Sequence, residues 1–178
     1  VPEPEGPFAA ITFDHLRYIA FNLREADRIE IFNWIGITDP DQFARRAFKD
    51  ITERGRGRIV WHDNRPAAWI AVIEDADQKG SWEVTMGGTD DMTKVALHCL
   101  RWVKWSIVHT RHNGQTLYCY SRAGHDEAHR FLVGCGAQAE AIPYTGVDGG
   151  QYLKFVWRYG ASNDWEISRK GPNAGRSG

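Results

Sequence analysis

A glutamate inside a strand-like segment is the clearest candidate for acid–base chemistry in this chain. The segment WEVTM (residues 82–86) alternates between apolar and polar side chains, which predicts a β-strand with Glu83 on the face opposite Trp82. A carboxylate on a strand can act as a general base, directly or through a water molecule. The alternative interpretation is an ordinary strand that carries Glu83 and Thr85 on an exposed face.

A pair of glycines follows this segment and precedes a predicted helix. Backbone N–H groups at the start of a helix bind anions, so this turn could hold the phosphate groups of a cofactor. The candidate residues are Met86, Gly87, Gly88 and Thr89. The next two residues, Asp90 and Asp91, argue against this, because carboxylates in the first helical turn stabilise the helix and repel an incoming anion. We expect an ordinary capped helix, with a divergent cofactor loop as the alternative.

Two histidines at helical spacing raise the question of a metal site. His125 and His129 stand four residues apart in the segment HDEAH, and a helix would place them on one face, where zinc could bind. The zinc-protease motif requires glutamate directly after the first histidine, but this chain has Asp126, and spacing suggests no third ligand nearby. We expect no metal here and interpret the segment as the capped start of a helix.

Composition indicates a soluble globular protein with no strong charge. The chain has 178 residues, 42% of them hydrophobic and 25% charged, and its formal net charge is -1. No long apolar run predicts a membrane span, and no overall field favours nucleic acid or a membrane surface. The basic residues around Trp102 and Trp105 therefore predict a solvated helix face, with a protein interface anchored on one of these tryptophans as the second interpretation. The three cysteines predict buried, small apolar side chains.

The periodicity of apolar residues predicts a mixed α/β fold. We expect a strand over residues 8–13, one helix from Asp14 as N-cap to about Trp34, and a second helix that restarts at Asp39 and stops at Gly55. Three strands follow between residues 58 and 86, then a helix over 89–112, a strand over 115–121, a helix over 126–133 and a closing hairpin. The order is β-α-α-β-β-β-α-β-α-β-β.

This order divides the chain into three parts. We expect an extended lead-in over residues 1–7 and one domain over residues 8–158. We expect residues 159–178 to form a polar tail that is flexible or ordered by a partner.

The segment QTLYCYSRAGHDEAHRFLVGCGA (residues 115–137) resembles the acceptor side of the GNAT acyltransferase fold, and the element order is similar over about residues 8–158. That family usually carries Asn, then Ala three residues on, then Tyr four further, then Gly-Phe. Ala128 and Gly136 match this pattern. His125, Leu132 and Ala137 then stand where the family has Asn, Tyr and Phe.

The resemblance implies chemistry that this chain lacks at the matched positions. The family's Tyr is the usual general acid that returns a proton to the coenzyme A thiolate, and Leu132 has no proton to give. The family's diphosphate loop, Gln/Arg-x-x-Gly-x-Gly/Ala, is reduced here to two glycines without that spacing. Whether Tyr118, Tyr120 or Tyr144 replaces the missing acid stays open.

Two stretches resemble the small GNAT-like internal virion proteins of short-tailed bacteriophages. They are AGHDEAHRFLVGCGA (residues 123–137) and DHLRYIAFNLREADRIEIF (residues 14–32). The resemblance implies a virion or morphogenesis role, in a protein made in the cytoplasm of the host bacterium.

Together these observations predict a non-catalytic GNAT-like protein without a cofactor. We expect it to bind other virion proteins or to self-associate in an assembly, with no nucleic acid or membrane as partner. The alternative is an active N-acyltransferase that uses acetyl-CoA on a host or phage amine. In that case Glu83 would be the base, and Met86, Gly87, Gly88 and Thr89 would bind the cofactor.

Overall fold

A computed structural model describes residues 2–112 and 116–157 of the chain. Within these ranges the helices are α1 Phe13–Phe21, α2 Glu25–Ile35, α3 Pro40–Arg54, α4 Met92–His112 and α5 Asp126–Gly134. The strands are β1 Phe8–Ala9, β2 Gly55–His62, β3 Arg65–Glu74, β4 Ser81–Gly88, β5 Thr116–Arg122, β6 Gln138–Ala139, β7 Tyr144–Thr145 and β8 Gln151–Trp157. The predicted tail over residues 159–178 lies outside the described residues.

One mixed sheet forms the centre of the molecule and confirms the predicted α/β class. Its strand order is β1-β2-β3-β4-β5-β8-β6, and β7 also pairs with β8. The β4–β5 pair is parallel, and the other pairs are antiparallel. Strand β3 is buried on both faces, which explains its almost unbroken apolar run.

Helices cover both faces of this sheet. On one face, α1, α2 and α3 pack around Trp69 of β3, with Leu16 and Ile51 fully or almost fully buried. On the other face, α4 and α5 pack against Val72 and Phe155. The two cores lie on either side of one sheet, so any gap between its central strands connects them.

The single helix predicted from Asp14 to Trp34 is in fact two helices. Thr12 is the N-cap, since its Oγ1 accepts a hydrogen bond from the N–H of His15 at 3.2 Å. The first helix ends at Asn22, whose Nδ2 donates to the carbonyl of Tyr18. The N–H of Arg24 then donates to the carbonyl of Gly88 at 3.0 Å. This tertiary bond fixes the start of α2 against the end of β4, and the local apolar pattern contains no sign of it.

Two predicted strands are shorter than expected. The first is reduced to β1, because strand pairing ends at Ala9 and α1 begins at Phe13 with Thr12 as its N-cap. The first strand of the predicted closing hairpin is divided into β6 and β7. Pro143 stands immediately before β7 and has no N–H to donate to a ladder, so continuous pairing through this point is not possible.

The second predicted helix begins where the sequence indicates. As predicted, Asp39 caps α3 by accepting from the N–H of Asp41, and Pro40 is the first helical residue.

Trp102 is a core residue and not an interface anchor. Only 1% of its surface is exposed, and its Nε1 donates to Glu3. Cys99, Cys119 and Cys135 are buried free cysteines, as expected.

The element order therefore differs from the predicted one by one helix and one strand, while the fold class stands. Among the helices of the described ranges, none is long and apolar enough to cross a membrane.

Candidate functional site

The two central parallel strands diverge after three residue pairs. Strand β4 pairs with β5 only over Ser81–Glu83 and Thr116–Tyr118. Beyond this point a cavity of about 420 Å³ lies between residues of both strands, among them Val84, Met86, Cys119 and Ser121. Helices α2, α3, α4 and α5 contribute to its wall, as do the end of β3 and Tyr152 of β8. The cavity has the size of a small-molecule site and lies where the sheet is open.

Glu83 is the last residue of β4 to pair with β5, opposite Tyr118. Its side chain lines the cavity, and so does Thr85 two residues on. The interpretation of an exposed polar strand face is therefore wrong. The strand alternation itself is as predicted, since Val84 lies in the opposite core.

The surroundings of Glu83 favour its uncharged form. Burial raises the pKa of this carboxyl to about 7, and the negative charges of Asp75 and Asp50 add to the effect. Arg54 and Arg46 act in the opposite direction but do not cancel it. Glu83 is therefore about half ionised near neutral pH, which is the state required of either a general base or a proton-linked binding group.

The cavity wall is acidic. Seven carboxylates and three guanidinium groups line it, together with His125. The carboxylates are those of Asp27, Glu30, Asp50, Glu74, Asp75, Glu83 and Glu127, and the guanidinium groups are those of Arg24, Arg46 and Arg54. Such a wall attracts cations and disfavours anions.

Aromatic rings form one side of the cavity. Trp34 and Tyr120 are stacked at 4.6 Å between ring centroids, and Tyr118 meets Tyr120 edge-on at 5.7 Å. The hydroxyl of Tyr118 donates to Asp75 at 2.7 Å. Tyr144 contacts Tyr120 at 5.0 Å between centroids.

Tyr118 and Tyr120 hold their protons firmly. Burial, followed by the hydrogen bond to Asp75, raises the pKa of Tyr118 well above its ordinary value. Burial also raises the pKa of Tyr120 to about 12. The sequence left open whether Tyr118, Tyr120 or Tyr144 could replace the missing acid. The structure places Tyr118 and Tyr120 on the cavity wall, where each remains a weak acid.

The glycine pair belongs to β4 and packs against the chain itself. A Cβ on Gly87 would lie 2.3 Å from Cη2 of Trp69, and a Cβ on Gly88 would lie 2.6 Å from the carbonyl oxygen of Ala67. Glycine is therefore required at both positions by internal packing, because a side chain has no room there. Close approach by a ligand is not needed to explain either residue.

Internal acceptors already occupy the N–H groups of the turn before α4. The N–H of Gly88 donates to the carboxylate of Asp27 at 2.8 Å, and the N–H of Thr89 donates to the carbonyl of Ala67 at 2.8 Å. Asp91 and Met92 donate to the side chain and the carbonyl of Thr89. Of the four residues considered for cofactor binding, Gly88 and Thr89 thus have their N–H groups engaged.

The residues of this turn do not fit the diphosphate of coenzyme A. The carboxylate of Asp27 takes a donor that an anion would need, the N–H of Gly88. Asp27 is 6% exposed and forms an ion pair with Arg24 at 2.8 Å. Arg24 also reaches Glu127 of α5 at 3.3 Å. Sequence reasoning missed this group because Asp27 and Gly88 are 61 residues apart.

His125 is the N-cap residue of α5 but does not cap it through its side chain. Its Nδ1 contacts the carboxylate of Glu30 on α2, and this hydrogen bond raises the pKa of His125. The carbonyl of Glu30 in turn accepts from the hydroxyl of Tyr152. Across the portions of the chain that the structure describes, no group of three metal-ligating side chains comes together.

We expect Gly87→Ala to destabilise the fold by about 1–3 kcal/mol, because the added methyl group overlaps the ring of Trp69. Gly134→Ala is the matched control, since a Cβ there meets nothing within 4 Å at the end of α5. The control should be neutral or stabilising by up to about 1 kcal/mol. Urea unfolding of both variants measures the difference. Equal stability of the two variants would show that Gly87 is not required by packing.

The fold is that of the GNAT acetyltransferases, as solved structures show. The chain is similar to a ribosomal-protein-alanine N-acetyltransferase from Brucella melitensis, with a TM-score of 0.65, 9% identity, and coverage of 84% of this chain and 98% of the other. It is also similar to RimL, a ribosomal L7/L12 alpha-N-protein acetyltransferase in complex with coenzyme A. The TM-score is 0.63 and the identity 7%, with 87% of this chain and 94% of the other covered.

A spermidine N-acetyltransferase from Vibrio cholerae, in complex with CoA and spermine, has a TM-score of 0.62 and 12% identity, with 85% of this chain and 94% of that chain covered. At these identities the likeness establishes the fold and leaves the chemistry to be argued from the site. No protein-family model matches the sequence, and no curated protein matches it.

Proposed function

We propose that this protein is a non-catalytic GNAT-fold binding protein. The observation that carries the proposal is the engagement of the turn before α4, where the N–H groups of Gly88 and Thr89 donate to Asp27 and Ala67. A second observation supports it, because Leu132 stands at the position where the family carries its proton donor, and its side chain is buried. The first observation argues against binding of coenzyme A at this turn, and the second argues against proton donation from this position.

The proposed role is association with other proteins. Resemblance of residues 14–32 and 123–137 to internal virion proteins of short-tailed bacteriophages supports a structural or morphogenesis role in a phage particle, with other virion proteins or further copies of this chain as partners. Exposed apolar side chains at Phe21, Leu97 and Val133 are available for such contacts.

The second candidate function is N-acyl transfer to an amine with acetyl-CoA as donor. One specific observation favours it, namely the position of Glu83 at the divergence of β4 and β5, with a pKa of about 7. A carboxylate in this state is suited to accept a proton from an ammonium group. The acidic cavity wall also suits an amine acceptor.

Calorimetric titration with coenzyme A and acetyl-CoA separates the two functions. We expect no saturable heat up to about 1 mM of either ligand, since the N–H groups of Gly88 and Thr89 already donate to Asp27 and Ala67. The spermidine N-acetyltransferase from Vibrio cholerae, titrated in the same buffer, is the positive control. Micromolar affinity, with thiol release from acetyl-CoA in the presence of an amine, would overturn the non-catalytic proposal.

A further inference from the structure

The segment that precedes α1 lies along the edge of the sheet, far in the strand order from the opening between β4 and β5. This docked segment (residues 2–9) contains β1, which pairs with β2. The N–H of Trp61 donates to the carbonyl of Pro7 at 2.9 Å. The ring of Phe8 meets His98 of α4 edge-on, with 6.2 Å between centroids. Backbone and side-chain contacts therefore both hold the segment in a groove between β2 and α4.

Glu3 is the polar anchor of the docked segment. One oxygen of its carboxylate accepts from Nε1 of Trp102 at 2.8 Å, and the other accepts from the guanidinium of Arg58 at 2.6 Å. Trp102 is 1% exposed, so water has no ready access to this side chain when the segment is in place. A buried donor that loses its acceptor is costly to the fold. The groove is thus built around a carboxylate and is stable when such a segment occupies it.

A vacant groove would also leave part of β2 unpaired. Ile59 and Val60 of β2 pair with β1 through the docked segment, and without it they would lie at an open edge of the sheet. An open edge strand pairs readily with a further strand. The occupant that satisfies both this edge and the donors of Trp102 and Arg58 is a segment with the sequence of residues 2–9.

The docked segment keeps its extended form without help from the rest of the fold. Pro2, Pro4 and Pro7 restrict the backbone and have no N–H to donate, so the segment cannot become a helix. Docking therefore orders little backbone, in this chain or in another. Residues 10–12 connect the segment to α1, and in this connection Ala10 is exposed and Thr12 has extended backbone angles.

We propose that the docked segment also binds the same groove of a second copy of this chain, so that two copies exchange their segments. Each contact of Glu3, Pro7 and Phe8 is then made between copies as it is made within one chain, because both grooves have the same sequence. The inference rests on the proposed function for its choice of partner, which is a further copy of this chain. The partner site lies at the β2 edge and does not involve the cavity.

Protein concentration decides between the two arrangements, since their contacts are the same. A short connection gives the segment an effective concentration on the order of 1 mM at its own groove. We expect a monomer at about 10 µM and a substantial fraction of exchanged dimer at about 1 mM. Exchange therefore becomes important where many copies of the chain are concentrated, as in an assembly.

The test is disulfide trapping between two variants, Phe8→Cys and Val60→Cys, that carry tags of different mass. Phe8 and Val60 lie opposite each other in the β1–β2 pair, close enough for a disulfide after a small adjustment. Neither variant can form this bond within one chain. We expect a covalent dimer of the two variants after oxidation at about 1 mM, and much less of it at about 10 µM. Glu53→Cys, at an exposed site on α3, replaces Val60→Cys in the control and should give only background cross-linking.

Sedimentation equilibrium of the parent chain keeps the test valid if either cysteine variant fails to fold. We expect a monomer–dimer equilibrium with a dissociation constant of about 1 mM. Deletion of Ala10 should strengthen it about tenfold or more, because a shorter connection reaches its own groove less well.

Three results would overturn the inference. They are a parent chain that stays monomeric at about 1 mM, a dimer that the deletion of Ala10 does not strengthen, and folded cysteine variants that dimerise without the cross-link. Binding of coenzyme A would instead overturn the proposed function and would leave the trapping result unchanged, so the two failures are distinguishable.

Discussion

Glu83→Gln is expected to stabilise the protein by up to about 3 kcal/mol at pH 8 and to have little effect at pH 4. The folded protein raises the pKa of this carboxyl from 4.5 to about 7, chiefly through burial. A carboxyl with a raised pKa contributes full stability below pH 4.5 and loses it progressively as the pH rises to 7. Glutamine resembles the protonated form at every pH and avoids this loss. Urea unfolding at pH 4, 6 and 8 measures the change.

The control for this prediction is Glu53→Gln, which removes a carboxylate from an exposed site on the neighbouring helix α3. Its effect should stay within about 0.5 kcal/mol at all three pH values. An equal effect of Glu83→Gln at pH 4 and pH 8 would contradict the assignment of a raised pKa. A stabilising substitution at a cavity residue is typical of a group that is kept for binding or catalysis and not for the fold.

Asp27→Ala is expected to destabilise the protein by about 3 kcal/mol. The substitution leaves the guanidinium of Arg24 without its closest partner and removes the acceptor of the Gly88 N–H. Asp27→Asn should cost less, because its amide oxygen can still accept from Gly88. Burial raises the pKa of Asp27 in spite of Arg24. The neutral amide of asparagine should therefore be tolerated better than the missing side chain of the alanine variant. Urea unfolding at pH 7 gives the ranking of the variants.

Glu25→Ala is the matched control on the same helix turn. Its carboxylate pairs with Arg28 at the surface, where the side chain of Glu25 is 68% exposed. An exposed pair of this kind contributes at most about 1 kcal/mol. If Asp27→Ala and Glu25→Ala have the same stability, Asp27 does not anchor α2 to the end of β4.

The mixed α/β class and most elements could be predicted because their signals are local. Asp39 and Pro40 start α3 as their residue types indicate, and the apolar run of β3 indicates a strand buried on both faces. The division between α1 and α2 could not be predicted in the same way. It depends on the bond between Arg24 and Gly88, which are distant in sequence.

Glu83 was named as the candidate acid–base residue from the sequence, and its side chain lines the cavity. The glycine pair was predicted to precede an ordinary capped helix, with a divergent cofactor loop as the alternative. The start of α4 is capped, since the side chain and the carbonyl of Thr89 accept from the N–H groups of Asp91 and Met92. The cofactor loop stays a prediction. Gly87 and Gly88 are packed against Trp69 and Ala67, and such contacts are invisible without the sheet register. Asp27 was missed for the same reason, because its partner Gly88 comes from another element.

The GNAT fold is compatible with both transfer and binding, so the cavity residues have to decide the function. An acyltransferase needs an open anion turn, a proton donor and a base. In this chain the turn is engaged by Asp27, Leu132 is no donor, and Glu83 alone is suited to its role. These three positions are the basis of the proposal that the protein binds other molecules without catalysis.

Residue-resolved NMR of the turn tests the central claim most directly. Coenzyme A is added to ¹⁵N-labelled protein to about 1 mM, and the amide signals of Gly87, Gly88 and Thr89 are followed. We expect these signals to stay in place, because the N–H groups of Gly88 and Thr89 already donate to Asp27 and Ala67. Saturable shifts of Gly88 and Thr89 would show that coenzyme A displaces Asp27 and would contradict the account.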